Sequence, residues 1–225
     1  MPPLDQLLEQ SPLFASLNHR DRLELARTAL SRHYTKGQVF ACAGEVWPYL
    51  LLLVDGRVNA AKESSEGRSL IVVTLGPGEV FWGLAFFLDD APMPVTLVAR
   101  EECHTYLWDR RTLLPILLDN GRLSWELCRL MAGRMARASQ VLDEMAFRPV
   151  TGRIARLLLD LFPGAEDLPV SRSLTLDEMA AHAGTTREVV CRLLYRFADD
   201  DLIRITRTEL ALRNKAGLAQ LAERP

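Results

Sequence analysis

The chain lacks any apolar run long enough to span a bilayer. Its longest, Val46–Val54 and Val80–Leu88, have nine residues each, and a transmembrane helix needs about 20. The opening Met1-Pro2-Pro3-Leu4-Asp5 has no basic region ahead of an apolar one, so no secretory signal is expected. Cysteine is scarce, and the four present (42, 103, 128, 191) form no C-x-x-C pair. That argues against a disulfide framework and a zinc site of the usual spacing. Reduced thiols in a cytoplasmic protein are the expectation. Lysine is nearly missing, with three residues (36, 62, 215) against 24 arginines, and the net charge is only −2. No strong overall field therefore draws a polyanion. Paired carboxylates, a Ser-His-Asp set and a phosphate loop are also missing. The four histidines (19, 33, 104, 182) do not converge in sequence, so an enzyme is not expected.

What is present falls into segments of different texture. At about 150 residues per domain, 225 residues make one large domain or two small ones. Residues 4–30 spread Leu4, Leu7, Leu8, Leu13, Phe14, Leu17, Leu23 and Leu25 among polar residues, the pattern of short helices. From His33 to Trp108, short apolar stretches are cut by glycines at 37, 44, 56, 67 and 78. Turns at that spacing predict an all-β sandwich or barrel. Asp55-Gly56 and Glu66-Gly67 fall where hairpin turns need positive φ.

Residues 112–147 read as a long helix. Ser124, Cys128, Met131, Met135, Ala138, Leu142 and Met145 alternate in steps of four and three, a heptad seam. Leu123, Leu127, Leu130 and Val141 form a second stripe on a neighbouring face. A single stripe could be buried in one core. Two adjacent stripes favour one face on the parent domain and one on a partner helix, so a dimer helix is expected. Phe147-Arg148-Pro149 breaks it.

Residues 148–225 carry 12 basic and 11 acidic side chains, or +1, against −3 for the rest. The asymmetry has the sign a nucleic-acid binder needs but is too small to argue from. Within this segment, Thr175 and Glu178 form a capping box opening a helix. Gly184 ends that helix, and Thr185 or Thr186 caps the next. Two short helices joined by a glycine turn make a helix-turn-helix. Arg187, Glu188 and Arg192 take the exposed side of the second helix, with Val189, Val190, Leu193, Leu194 and Phe197 inward. Arginine can fork guanine O6 and N7, and glutamate can accept from the cytosine amino group. A solvated charged face is the competing reading. Leu202–Ile205 and Leu210–Leu212, flanking Thr206–Glu209 with Arg207 at its tip, read as a two-stranded wing.

The chain resembles the Crp–Fnr family of bacterial transcription regulators over essentially its whole length. The resemblance rests on Lys36-Gly37, Gly44-Glu45, Asp55-Gly56-Arg57-Val58, Gly67-Arg68 and Pro77-Gly78-Glu79. It continues in Ala146-Phe147, Val150-Thr151-Gly152-Arg153-Ile154-Ala155 and Thr186–Arg192. It implies an α+β fold: amino-terminal helices and a sensor β-roll over 1–111, a dimerisation helix over 112–147, and a winged helix-turn-helix over 148–225. It implies a cytoplasmic homodimer that binds double-stranded DNA, recruits RNA polymerase and has no membrane association. Thr186, Arg187, Glu188, Arg192 and Arg207 would contact DNA, and an inverted repeat of TGTGA-like half-sites is the expected target. Cys128, Met131, Met135, Ala138, Leu142 and Met145 would line the dimer interface.

The sensor loop departs from the family pattern. Cyclic-nucleotide members place a glycine-glutamate pair and then an arginine-serine pair on the ligand. Here Gly83, or Leu84 if the loop shifts, stands for the glutamate, and Met93 and Pro94 stand for arginine and serine. The polar pair on the central helix becomes Ala138 and Ser139. A pocket of Trp82, Gly83, Leu84, Met93, Pro94, Ala138 and Ser139 leaves a phosphate uncompensated, which argues against cyclic AMP. The first cysteine is Cys42, which argues against an amino-terminal iron-sulfur cluster. A haem-based sensor of CO or NO stays open, with His33, Cys42, His104 and Pro2 as candidate ligands, each equally readable as a plain core or surface residue. A small apolar effector, or none, also stays open.

Overall fold

The computed structural model describes residues 3–66, 68–162, 169–172 and 174–223. Pro2 and Gly67, named above as a candidate ligand and a turn residue, lie outside them. The chain divides into two compact units, Met1–Lys62 with Val73–Arg137, and Glu63–Val72 with Ala138–Pro225.

Two helices open the chain, α1 (Leu4–Gln10) and α2 (His19–Thr28). The strands that follow are β1 (Leu30–Tyr34), β2 (Val39–Ala41), β3 (Tyr49–Asp55), β4 (Val58–Glu63), β5 (Ser69–Leu75), β6 (Val80–Trp82), β7 (Thr96–Ala99) and β8 (Cys103–Asp109). They form two four-stranded sheets, ordered β1-β8-β3-β6 and β2-β7-β4-β5. Leu50 to Leu53 in β3 are all buried. Leu50 and Leu52 pack with Leu8, Phe14, Leu25 and Trp108, and by strand alternation Leu51 and Leu53 point the other way. A strand covered on both faces needs an unbroken apolar run. The indole N–H of Trp108 donates to the carbonyl of Leu25 at 2.9 Å, which satisfies a buried donor and fixes α2 to β8. Gly56 has φ 86°, and a Cβ there would stand 2.2 Å from the carbonyl oxygen of Glu102. Both facts require glycine at this turn.

The helix expected over 112–147 is two helices, α3 (Arg110–Asp119) and α4 (Gly121–Phe147). Asn120 interrupts them with φ −114° and ψ 90°, and its side-chain oxygen accepts from the backbone N–H of Leu123 at 2.9 Å. That bond satisfies an orphan donor at the start of α4 and favours a break there. Seven-residue periodicity does not register such a stop.

The second unit contains α5 (Val150–Leu161), β9 (Val170–Ser171), α6 (Leu176–Ala183), α7 (Arg187–Asp199), β10 (Ile203–Ile205), β11 (Glu209–Leu212) and α8 (Lys215–Glu223). Ile154, Leu158, Met179, Val190, Leu194, Phe197 and Leu210 build its core. A Cβ on Gly152 would lie 2.9 Å from the carbonyl of Leu221, so α5 and α8 pack with almost nothing between them. The wing has three strands, in the order β10-β11-β9, where two were expected. Two residues of β9 carry too little pattern to be read as a strand. The whole is an α+β chain: a β-roll, a long helix and a winged helix-turn-helix.

Candidate nucleic-acid interface

Helix α6 begins on a reciprocal cap. The Glu178 backbone N–H donates to the Thr175 hydroxyl at 3.2 Å, and the Thr175 backbone N–H donates to the Glu178 carboxylate at 2.7 Å. Gly184 ends α6 in the left-handed region, φ 59° and ψ 46°, which an L side chain rarely adopts. A Cβ there would also stand 2.8 Å from the sulfur of Met145. The turn is therefore closed by backbone geometry and by packing.

Thr186 is the residue that precedes α7 as its cap, but its side chain bonds no backbone N–H. The Glu188 carboxylate instead accepts from its own backbone N–H and from the Thr186 hydroxyl, which hold its pKa below the usual carboxylate value. It stays an ionised acceptor. Val190, Leu193, Leu194 and Phe197 are buried, so Arg187, Glu188, Arg192 and Tyr195 point out. Arg187 is not free: its guanidinium donates to Asp177 of α6 at 3.2 Å. Arg207 is exposed in the turn between β10 and β11. That turn is closed by Thr206 N–H to the Glu209 carbonyl at 2.9 Å and by Glu209 N–H to the Thr206 hydroxyl at 3.0 Å. Helix and wing thus present Arg187, Glu188, Arg192 and Arg207 on packed elements.

The sequence did not single out Asp177, or the role of Arg153. The Arg153 guanidinium donates to the carbonyls of Ala183 at 2.8 Å, Arg148 at 2.6 Å and Glu144 at 3.5 Å. One cation thereby satisfies the carboxy-terminal ends of α4 and α6 at once. Burial pulls its pKa down, and Glu144 opposes the shift. No periodicity marks such a residue.

The proposed seam residues have different environments. On α4, Leu123 and Leu127 are buried and Leu130 is half-buried, all in the core of the first unit. Cys128 and Ala138 are exposed, and Met135 and Leu142 are 74% and 69% exposed. Met131 is half-buried against the first unit's core, and Met145 packs at Gly184. The stripe 128–135–138–142 is an exposed apolar face among the described residues.

In the sensor loop, Met93 is buried, Trp82 half-buried, and Leu84 and Pro94 exposed. A Cβ on Gly83 would meet the Trp47 carbonyl at 1.8 Å, so backbone fills that position. Met93 is fixed by its N–H to Glu45 O at 2.8 Å and by Gly44 N–H to Met93 O at 2.9 Å. Trp82 stacks near Phe81 and meets Phe87 edge-on. Arg134 of α4 reaches the loop, where Glu79 and the Val80 carbonyl engage it at 3.4 Å each. Ala138 and Ser139 are exposed on α4 and belong to the other unit.

Two of the candidate haem ligands, His33 and His104, lie side by side on β1 and β8. His33 and His104 stack face to face, centroids 4.2 Å apart and planes at 4°. Parallel rings aim their nitrogens side by side rather than at one metal. The His104 Nε2 is engaged by the Ser31 hydroxyl at 2.9 Å. Burial first, and His33 second, pull the His104 pKa down, against Asp55. Among the described residues no three of His, Cys, Asp and Glu group to hold a metal ion, and no helix is long and apolar enough to cross a membrane.

A β-roll followed by a long helix and a winged helix-turn-helix with an outward Arg-Glu-Arg face defines a DNA-binding transcription regulator. Residues 31–120 match the family model of the cyclic nucleotide-binding domain, and residues 152–221 match the Crp-like helix-turn-helix domain. The chain is similar to the CRP-like cAMP-activated global transcriptional regulator of Mycobacterium tuberculosis, 26% identical over 224 residues that span 97% of this chain and 100% of that one. It is also similar to the cyclic AMP receptor protein of Thermus thermophilus, 28% identical over 216 residues, 96% of this chain and 98% of that one. A crystal structure of a crp/fnr-family regulator from Eubacterium rectale superposes with a TM-score of 0.77 at 21% identity, covering 95% of this chain and 98% of that one. At that identity the likeness speaks for the fold. The chain belongs to the Crp–Fnr family, whose members are transcription regulators that bind DNA through the helix-turn-helix, not enzymes.

Proposed function

We propose that the protein is a cytoplasmic homodimeric regulator that reads an inverted repeat of TGTGA-like half-sites and works with RNA polymerase. In this reading residues 1–111 form the sensor region, 112–147 the dimerisation segment and 148–225 the DNA-binding domain. The observation that carries it is the outward face of α7. Arg187, Glu188 and Arg192 are exposed on a helix whose opposite side is fully packed, and their chemistry matches guanine and cytosine edges. Two-fold symmetry would place two such helices about one helical turn apart. The exposed stripe of Cys128, Met135, Ala138 and Leu142 supplies a surface for that symmetry.

The relatives above are named for activation by cAMP. For this chain we propose that cyclic AMP is not held by the usual phosphate contacts, because an apolar, aromatic loop stands where the charges would be. Haem ligation gains no support from stacked histidines.

The test is selection of duplexes from a random pool by the full-length protein, repeated with Arg192→Ala. Recovery of an inverted repeat by the wild type, with altered base preference in the variant, supports the reading. Recovery of no repeat overturns it.

A further inference from the structure

Helix α7 and the wing enclose a groove of about 340 Å3. Leu194, Tyr195 and Ile205 wall it, and Arg172, Thr206 and Arg207 border it. Arg172 follows β9, and its backbone N–H donates to the Thr208 carbonyl at 2.9 Å, so it is fixed to the wing. Its Nε is buried and has no hydrogen-bond partner. A buried N–H without an acceptor is an unmet demand. Within this unit Arg156 is engaged with Asp160, Arg187 with Asp177, Arg213 with Asp201, and Arg153 with three carbonyls, and Arg192, Arg196 and Arg204 are exposed to solvent. Arg172 differs in that its unmatched Nε is buried. Among the described residues, no carboxylate pairs with Arg172 or Arg207.

The groove is continuous with the reading face. Arg187, Cys191 and Tyr195 are four residues apart and so share one stripe of α7. Arg187 belongs to the proposed base-reading set, while Cys191 and Tyr195 line the groove. A strand leaving the major groove beside this helix would pass between it and the wing.

We propose that this groove seats one phosphate of the DNA backbone, held by the guanidinium groups of Arg172 and Arg207. The inference rests on the reading of α7 as the helix that enters the major groove. A phosphate offers paired acceptor oxygens in the geometry a guanidinium forks. Arg172 breaks no bond to meet it, whereas Arg187 must give up Asp177. A phosphate contact positions the protein without reading sequence, so Arg172 supplies affinity and register rather than specificity.

The test uses the full-length protein with Arg172→Gln, Arg207→Gln, the double variant and Arg172→Lys. Dissociation constants are measured over a range of salt, on the selected inverted repeat and on a duplex with both half-sites scrambled. Arg172→Gln is expected to weaken both duplexes by the same factor and to lower the slope of log K against log salt by about 1. Arg207→Gln, at an exposed turn that does not bear on folding, is expected to do the same. The double variant should lower the slope by about 1 rather than 2, because the two share one phosphate. Arg172→Lys should keep the slope. An unchanged slope in both Gln variants, or a loss confined to the selected duplex, overturns the proposal. The phosphate could instead be a free one. A melting shift of DNA-free wild type in inorganic phosphate over chloride at matched ionic strength, absent in Arg172→Gln, with DNA binding intact, would assign the groove to that anion and overturn the DNA source. Arg192→Ala tests the reading of α7 separately, since discrimination between the two duplexes should fall in that variant whatever Arg172 does.

Discussion

The outward face of α7 and the loop around Trp82 and Met93 handle charge in opposite ways. The helix keeps charged groups at its surface and spends its apolar residues on packing. Glu188 is held ionised by Thr186 and its own N–H, and Arg192 stands exposed. The loop buries Met93, fills the Gly83 position with Trp47 backbone and leaves Arg134 engaged by Glu79. A polyanion finds the exposed Arg192 at the first, whereas the arginine that reaches the second, Arg134, is already engaged by Glu79. Family membership therefore predicts the output of this protein better than its input.

The largest expected effect tests the symmetry that doubles the helix face. Leu142→Asp with Met135→Asp places charge on the exposed stripe of α4. If that stripe closes a dimer, the variant elutes as a monomer in gel filtration, and its affinity for the inverted repeat falls by about 100-fold or more, because the second half-site no longer binds intramolecularly. Cys128 sharpens the result. In a parallel pair it would approach its mate, and mild oxidation should give a linked dimer band that Cys128→Ser removes. A wild-type monomer at micromolar concentration would break the palindromic reading.

Base reading comes next. Arg192→Ala should cost ~1–3 kcal/mol at the cognate site and little on scrambled DNA. Glu188→Ala should chiefly relax base preference. If binding constants at matched salt are unchanged by Arg192→Ala, the face of α7 is solvated surface, and the contrast with the loop loses one side.

The loop gives a prediction of no effect. A ligand at 100 times its dissociation constant stabilises a fold by about 2.7 kcal/mol. Millimolar cyclic AMP should leave the melting temperature unmoved, and a clear rise would show that the loop binds phosphate without the usual charges. The first unit should also respond to acid. His104 has a depressed pKa when folded, so the unfolded chain takes the proton more readily. Its contribution is present above the ordinary histidine value of 6.5 and is lost as pH falls below it. Chemical denaturation at pH 7.5 and pH 5.5 should show a loss that His104→Gln reduces.

The legibility of these features followed their range in sequence. The capping box of Thr175 and Glu178, the Gly184 turn and the inward face of α7 involve neighbours a few residues apart, and pattern reading found them. The break at Asn120 turned on one side-chain hydrogen bond to Leu123, ahead of the heptad seam that starts at Ser124, and the seam carries no information about where its helix begins. Strand β9, with two residues, had no pattern to read. Arg153 and Arg172 act through partners 30 or more residues away, Ala183 and Thr208, and arginines are common in this chain. Only the fold brings those groups together. The same holds for the two stripes of α4: spacing revealed both, but which one is covered depends on the helices and sheet packed against it.

The smallest effect concerns Asp177, and it separates stability from function at the reading face itself. The carboxylate sits in the first turn of α6 and accepts from Arg187 at 3.2 Å. Both side chains are more than half exposed, and an exposed pair is worth about 0–1 kcal/mol. Two consequences of Asp177→Asn oppose each other. The helix loses a negative charge near its amino end, which costs about 0.3–1 kcal/mol of fold stability. Arg187 loses its internal competitor, and DNA loses a like charge facing its phosphates. The variant should therefore melt slightly lower yet bind duplex slightly tighter, by a few-fold at low salt, with the gain fading as salt rises because exposed charges are screened. Both quantities come from one preparation, a thermal melt and a salt series of binding isotherms. Weaker binding together with lower melting would mean that the pair orients Arg187 for the bases, so that Asp177 belongs to the reading machinery; tighter binding would mean that it restrains an arginine which DNA must release.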